Sequence, residues 1–490
     1  MTAPDILIIG SGMGGATLAA ALAPTGRRIL ILERGQHLRP SAADRDDRAI
    51  FQRGHFRPAE TWLDGQGRPF NPGNYYNVGG NSKFYGAVLL RYRAEDFAPL
   101  RHLEGTTPGW PLTYAELEPF YQRAEAMYQV RGQLGEDPTE PPHSGPYPFG
   151  PVPDEPAIAD LRARLAGVGL HPASLPLGVD LDLWLQGGQT TWDAYPNTGA
   201  GKLDAESVGI AQALAHPNVS LRTGCAVTRL VADASGRITG AEIDGGREVL
   251  SAPLVVLAAG AVQTAVLLLR SGLANSSDQV GRNFMNHNTS AVLALHPFRR
   301  NPSVYQKTLM INDFYLTGGQ DGTPLGNIQL LGKITGPILS AKSALPQGLA
   351  GLIARRSIDL LAMSEDLPDP DSRISLQGTQ IVMDWRQKNW AAHLDLVARL
   401  KRLLRRAGYP IVLSKPFDSR TPSHQCGTAR MGMDAASSVV DPFGRSHDHP
   451  NLFVTDASVL PTSAAVNPAL TVAALALRTA AHLQDTAFAG

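Results

Sequence analysis

The stretch from Asp5 to Glu33 leaves this chain little choice of fold. A short apolar run, Asp5 to Ile9, stops at Gly10-Ser11-Gly12-Met13-Gly14-Gly15. An alanine-rich segment, Ala16 to Leu22, then leads to a second apolar run, Arg28 to Leu32. That order reads as strand, tight turn, helix and strand, the opening of a parallel α/β unit. The Gly10-x-Gly12-x-x-Gly15 spacing gives each glycine a task. The first permits the turn, the second lets a pyrophosphate approach the backbone, and the third lets helix pack on strand. Free N–H groups at the helix start, around Met13 and Gly14, then face the phosphates. The second strand ends in Glu33 and Arg34. A carboxylate there accepts hydrogen bonds from an adenosine ribose and repels a 2′-phosphate, which argues against NADP. The fingerprint by itself leaves FAD and NAD open.

A chain of 490 residues exceeds one simple core, so two domains are expected. The hydrophobic fraction of 43% and charged fraction of 18% belong to an ordinary soluble globular protein. Lys+Arg and Asp+Glu both total 44. No net field therefore draws nucleic acid or an acidic membrane. Two cysteines, Cys225 and Cys426, cannot make a disulfide framework and fit a reducing compartment. The first apolar run meets the glycine turn instead of a cleavage site. No run approaches the ~20 apolar residues that cross a bilayer. A cytoplasmic protein without membrane insertion is the expectation.

Further signals place the elements. Residues 36–75 read as a long polar excursion, and Thr113-x-x-Glu116 is a capping box that opens a helix. The eight prolines within residues 136–156 predict an irregular connection. Asn218 to Leu221, Val227 to Val231 and Leu254 to Leu257 read as strands, the last ending in Ala258-Ala259-Gly260 before a helix. Between 291 and 420 the pattern changes to strand-like pieces such as Gly326 to Ile334, with a helix near Ala391 to Ala407 ended by Gly408. The fold predicted is α/β: a Rossmann-like domain interleaved with a second domain built on an antiparallel sheet plus helices. The first takes residues 1–100, 204–290 and 422–490, and the second takes 101–203 and 291–421.

The ordered set of motifs resembles the glucose-methanol-choline (GMC) oxidoreductases, FAD enzymes. The matching pieces are the N-terminal fingerprint, Gly79-Gly80-x-Ser82, Ala258-Ala259-Gly260 and Gly281-Arg282-Asn283-Phe284-Met285-Asn286-His287. They continue with His424-x-x-Gly427-Thr428, Asn451-Leu452-Phe453-Val454-x-Asp456-x-Ser458 and Asn467-Pro468-x-Leu470-Thr471. The resemblance implies flavin-dependent oxidation of a CH–OH group. It also implies that Gly79, Gly80, Ser82, Tyr85 and Gly86 run beside the flavin, and that Ala259 and Gly260 join the cradle. Val227 would touch the adenine through its backbone, and Asp456 and Ala457 would hold the ribityl–phosphate region. Asn467, Pro468 and Ala469 would lie at the pyrimidine edge of the ring. Two departures stand out. Tyr85 occupies a place where many members carry asparagine. Phe84 occupies the place of the histidine to which covalent flavin is attached, so non-covalent FAD is expected. The stretch from Trp184 to Lys202 is less typical of the family.

The chemistry needs a base to take the hydroxyl proton while the hydride leaves. Histidine suits it, with an ordinary pKa of ~6.5, and such a base contributes ~10²–10⁴ in rate, or roughly 3–5 kcal/mol of barrier. His424 is the candidate, with the Asn467 amide orienting the substrate oxygen. Asn467-Pro468 also reads as N-cap and first turn of a buried helix through Leu470 to Leu483, whose N-terminus would aim partial positive charge at the flavin edge. The partners expected are a small alcohol, polyol or sugar and an oxygen or quinone-like electron acceptor, with a homo-oligomer open as an assembly state. Two other classes remain: a lyase on the same scaffold, and the flavin subunit of an electron-transfer complex. A nicotinamide dehydrogenase has no evident use for the His424/Asn467 pair. His447-Asp448-His449 lacks a second cluster for a metal, so no metal is expected. Arg399, Lys401, Arg402, Arg405 and Arg406 read as a solvated helix face. His287 and Cys426 read as packing residues, and Asn327 and Gln329 as either sugar ligands or caps of a sheet edge.

Overall fold

The computed structural model describes residues 3–186, 193–199, 201–420 and 423–486. The boundary expected at 421–422 and part of the 184–202 stretch lie outside the described residues. A five-stranded and a six-stranded sheet frame the site. In chain order their strands begin with β1 (Ile6–Ile9), β2 (Ile29–Leu32), β3 (Pro172–Ser174), β4 (Val219–Arg222), β5 (Leu254–Leu257) and β6 (Asn288–Leu295). They continue with β7 (Leu309–Ile311), β8 (Asn327–Leu330), β9 (Ser357–Ser364), β10 (Ile411–Pro416) and β11 (Leu452–Val454). The helices that bear on the site are α1 (Met13–Leu22), α2 (Tyr114–Met127), α3 (Ala261–Ser271), α4 (Trp390–Arg406) and α5 (Ala469–Thr486).

The first sheet has the order β4-β2-β1-β5-β11, with every pairing parallel. Its strands come from the beginning, middle and end of the chain. β1 and β5 are continuous apolar runs buried along their whole length, as strands covered on both faces must be. The order reverses at β1, with β2 on one flank and β5 on the other. A crevice opens beyond the strand ends at such a switch point, and α1 begins there. The glycines allow the packing. A Cβ on Gly10 would stand 2.3 Å from the Ala258 carbonyl oxygen, and one on Gly15 2.2 Å from the Gly10 oxygen. One on Gly14 would stand 1.5 Å from the Thr455 oxygen, just past β11.

The second sheet has the order β10-β6-β9-β8-β7-β3 and is antiparallel throughout. Strand alternation divides its two faces. Val292, Ala294, Ile328, Leu330, Leu360 and Ala362 pack with Leu396, Leu400 and Leu404 of α4 in one apolar cluster. Asn327 and Gln329 alternate with Ile328 and Leu330, so they face the other side. β8 lies between β9 and β7, so neither residue caps a sheet edge. The strand expected over Gly326 to Ile334 ends at Leu330 because carboxylates replace the ladder beyond it. Gly332 N–H donates to Asp193 Oδ2 at 2.8 Å and Ile334 N–H to Asp359 Oδ2 at 2.9 Å.

Local signals have visible causes. Thr113 Oγ1 accepts from the Glu116 N–H at 3.3 Å while Glu116 Oε2 accepts from the Thr113 N–H at 2.7 Å, closing the capping box of α2. Residues 136–155 hold no helix or ladder, only an isolated bridge from Phe149 to Arg131. α4 stops before Gly408, which is left-handed at φ 93°. One expectation fails. Asn467 does not cap α5, which begins at Ala469, because its carboxamide is engaged by His424 and Gln329. Among the described residues no helix is long and apolar enough to cross a membrane.

The Gly14 contact yields a stability prediction. Gly14→Ala drives a methyl into a backbone carbonyl and should cost ~1–3 kcal/mol or more, read as a lowered urea midpoint of the apoprotein. An unchanged midpoint would show that the α1–β11 approach is looser than described.

Candidate active site

Two glycine loops meet beyond the ends of β1 and β5. Gly12, the residue before α1, has φ −71° and ψ −171°, and no side chain caps the helix. Unlike its neighbours, Gly12 has nothing within 4 Å of an added Cβ, and Gly80 meets only the backbone of Gly12, at 3.5 Å. Gly260, ahead of α3, is equally open. The N-terminus of α1 thus looks onto free space walled by glycine backbone, around Met13, which is what a pyrophosphate requires. Ser11, buried inside the fingerprint, ties the cradle together. Its hydroxyl donates to Glu33 Oε2 at 2.6 Å and accepts from the Gly79 N–H at 3.1 Å. Glu33 also accepts from the Ser11 N–H at 3.2 Å and the Gly35 N–H at 2.9 Å. A carboxylate has roughly four acceptor sites, so one remains for a ribose hydroxyl. Arg34 stacks its guanidinium 3.8 Å above the Tyr76 ring. The Cys225 N–H donates to the Glu33 carbonyl at 2.9 Å, which sets the strand starting at Val227 beside this corner. These residues fit an adenine dinucleotide such as FAD.

Other expected contacts are committed to the protein itself. The Ser82 hydroxyl donates to the Gly79 carbonyl at 2.6 Å and accepts from the Ala205 N–H at 3.1 Å. Tyr85 donates its hydroxyl to the Leu203 carbonyl. Gly86 abuts the Lys307–Asp193 ion pair, where a Cβ would stand 2.0 Å from Asp193 Oδ1. Phe84 stacks on Tyr75 with ring centroids 3.7 Å apart. Asp456 caps α3: it accepts from the Gly260 N–H at 3.0 Å and from the Thr264 hydroxyl, and its other oxygen takes the Ser458 N–H at 2.8 Å. Ala259 lies two residues beyond β5, in the same turn. Burial pushes the Asp456 carboxyl up from its ordinary range.

The segment bearing His424 is zipped between two others. Met285 and Cys426 exchange backbone bonds of 3.0 Å. On the other side the N–H groups of Gly427, Ala429 and Met431 donate to the carbonyls of Ala457, Ser458 and Val459. His424 is half-buried, as are Asn467, Pro468 and Ala469. Although 43 residues apart in sequence, His424 Nε2 and Asn467 Nδ2 lie 3.2 Å apart. His424 N–H donates to Asn286 Oδ1 at 2.8 Å. Its Nδ1 is 2.8 Å from Nδ1 of His287, whose Nε2 is 3.0 Å from the Ser463 carbonyl oxygen.

One carbonyl orders every proton in this row. The Ser463 oxygen only accepts, so His287 Nε2 carries hydrogen. Burial pushes His287 down to about 4, so at neutral pH its Nδ1 is a lone pair and must accept from His424 Nδ1–H. Burial, then the repulsion that a protonated His287 would add and that of Lys307, holds His424 well below the ordinary 6.5. Its remaining nitrogen, Nε2, is therefore a lone pair that accepts from the Asn467 amide. Asn467 Oδ1 in turn accepts from Gln329 Nε2 at 3.0 Å.

Sequence reading treated His287 as packing and left Gln329 undecided; both join the row. Ser11 and Asn286 stand inside motifs that gave them no role of their own, and Ser463 was not singled out, since a serine or asparagine in a loop carries no signal of what its neighbours are. Cys225 and Cys426 are both buried and free. His449 bonds the Ala274 N–H at 3.0 Å and the Gly236 carbonyl at 2.7 Å. Among the described residues no group of three or more His, Cys, Asp or Glu could hold a metal ion.

The sequence matches models described as GMC oxidoreductase over residues 188–289 and 368–476, and one described as NAD(P)-binding Rossmann-like domain over 8–71. It is 30% identical to 6'''-hydroxyparomomycin C oxidase of Streptomyces lividus, over 98% of this chain and 92% of that one. It is also 30% identical to paromamine 6'-oxidase of Streptomyces fradiae, over 97% and 90%. Identity to 2-methyl-1,2-propanediol dehydrogenase of Mycolicibacterium austroafricanum is 27%, over 97% and 94%. Pyridoxine 4-oxidase from Mesorbium loti shares the fold with a TM-score of 0.69 at 20% identity, covering 98% of this chain and 99% of that one.

Gly12 and Gly14 should respond in opposite ways. Gly12→Ala adds a methyl to open space, at dihedrals alanine tolerates. The apoprotein should melt as the wild type does while FAD affinity falls ~10-fold or more, since the methyl occupies the phosphate's place. Fluorescence titration of the apoprotein with FAD measures it, and unimpaired binding would place the phosphates elsewhere.

Proposed function

This chain belongs to the GMC oxidoreductase family, and on that footing we propose that it oxidises a CH–OH group of an alcohol, polyol or sugar to a carbonyl with non-covalently bound FAD, using His424 as the base. Gly10, Gly12, Gly15, Glu33 and the Gly79–Gly80 loop would hold FAD, which would supply the hydride acceptor when bound. Phe84 offers no nucleophile for a covalent link. The electrons leave to oxygen or to a quinone-like acceptor. Relatives named for paromamine, hydroxyparomomycin and 2-methyl-1,2-propanediol support a hydroxyl-rich substrate.

The observation that carries this reading is the uncharged His424 Nε2 opposite the Asn467 amide. A substrate hydroxyl enters by parting that 3.2 Å contact. It then donates its proton to Nε2 while the Asn467 Nδ2–H group donates to its oxygen. Histidine 287 (His287) serves as a positioning residue, because it holds the proton of His424 on Nδ1 and so keeps Nε2 free. When Nε2 takes the substrate proton, the positive charge is shared towards the His287 lone pair and stays within a buried, hydrogen-bonded pair.

Anaerobic flavin reduction tests the base directly. His424→Ala should retain FAD and reduce it ~10²–10⁴-fold more slowly; a wild-type rate would remove His424 from this role. The pH dependence follows from the sign of the shift. Because His424 titrates below 6.5, the lone pair is present throughout the neutral range and is lost only as pH falls through that depressed value. The reduction rate should therefore stay level through pH 6.5 and decline only well below it. A limb centred above 7 would contradict the assignment. His287→Leu removes the acceptor of His424 Nδ1–H and should slow reduction ~10-fold or more. His287→Gln, with an oxygen for His424 and an amide for Ser463, should restore much of it. Equal rates in the two variants would leave His287 without a positioning role.

A further inference from the structure

The polarity set by the Ser463 carbonyl does not end at Asn467. Since His424 Nε2 accepts, Asn467 must turn its amide nitrogen to the histidine and its oxygen to Gln329. Gln329 must then present its own nitrogen, at 3.0 Å. Among the described residues the opposite end of that carboxamide, Oε1, has no hydrogen-bond partner, although Gln329 is 0% exposed. A buried acceptor left unpaired is costly, and the amide cannot rotate to relieve it without setting two oxygens, or two N–H groups, against each other along the row.

We propose that Gln329 is a specificity-determining residue whose Oε1 accepts a hydrogen bond from a second hydroxyl of the substrate, on the carbon next to the one oxidised. The inference rests on the reading that His424 and Asn467 hold a carbinol. Entry of that carbinol separates His424 from Asn467. Gln329 is tied to Asn467, so it shifts with it and Oε1 comes within reach of the incoming molecule. Between the Asn467 nitrogen that holds the reacting hydroxyl and Gln329 Oε1 stand two carboxamides and the 3.0 Å bond joining them. Two hydroxyls on neighbouring carbons, each extended by its own hydrogen bond, reach across a separation of that size. The row Ser463–His287–His424–Asn467–Gln329 is uncharged, so it offers no counter-charge to an ammonium group but suits a hydroxyl. The backing of β8 is rigid: Asn327, two residues before Gln329 on the same face, donates to Asn312 Oδ1 at 2.6 Å, and Asn312 donates to Asp137 at 2.7 Å. The chemistry selected is a 1,2-diol or a longer vicinal polyol.

The test is anaerobic flavin reduction by the holoenzyme with propane-1,2-diol and with propan-1-ol. In the wild type the diol should be favoured ~10–100-fold in the second-order rate, the effect of leaving one buried acceptor unpaired. In Gln329→Leu and in Gln329→Met that preference should collapse towards one. Loss of the Gln329–Asn467 bond slows both substrates alike and cancels in the ratio, so a merely structural role leaves the preference intact. A wild-type ratio near one would overturn the proposal, as would a ratio that survives both substitutions, the result expected if an ordered water pairs with Oε1 whatever is bound. Should neither variant retain flavin, the wild-type ratio alone decides. If neither probe, nor any sugar or polyol, reduces the wild-type flavin, the carbinol reading itself fails and takes this inference with it. Reduction of equal speed by both probes removes the inference alone.

Discussion

The 2.8 Å contact between Nδ1 of His287 and Nδ1 of His424 joins the two halves of the molecule. His287 stands at the head of β6 in the antiparallel sheet. His424 belongs to the segment laced onto the chain that leaves β11 of the parallel sheet. A hydrogen bond between two imidazoles needs one lone pair and one N–H, and burial keeps both rings neutral. The backbone carbonyl of Ser463 then determines which ring supplies which. Side chains from four distant parts of the chain thereby share one proton order.

That order requires strands that do not drift. Besides an apolar cluster that includes residues of both sheets, the interior holds a set of buried ion pairs. Arg91 grips Glu125 with two bonds of 2.7 Å and reaches Glu118 at 2.9 Å. Arg93 donates to the Arg91 carbonyl at 2.7 Å and pairs with Asp137. Asp137 accepts from Asn312, which accepts from Asn327 on β8. Buried pairs of this kind add little net stability, but breaking one leaves a stranded charge at a cost of ~3–5 kcal/mol. Their effect is to hold register. The proline-rich stretch takes part: it supplies Asp137, and its Pro142 carbonyl accepts from Arg91 at 3.3 Å and from the Tyr114 hydroxyl at 2.7 Å. A segment that makes no ladder is thus held by side chains reaching into its backbone.

The cradle and the histidine row depend on different properties of the same turn. Gly14 and Gly15 are pressed against backbone, whereas Gly12 faces open space. A single motif therefore contains glycines that backbone packing requires and one that it does not. Ser11 links them to the acidic corner, since its hydroxyl bridges Glu33 and Gly79.

Local pattern was enough for the elements whose cause is local. β1, α1 and β2 follow from an apolar run, a glycine turn and an alanine-rich helix; the capping box of Thr113 and the stop before Gly408 need only their neighbours. The parallel sheet was likewise readable from continuous apolar runs, whereas β8 and β9 of the antiparallel sheet are buried just as fully, so burial alone does not tell the two apart. What no local pattern contains is the meeting of residues far apart. That His287 touches His424, that Asn467 serves His424 and Gln329 instead of capping α5, and that Gln329 sits on a central strand with one oxygen unpaired among the described residues all follow from how the two sheets are set together. Side-chain type is written in the chain, but the direction of a hydrogen bond depends on the partner across it, and only packing chooses the partner.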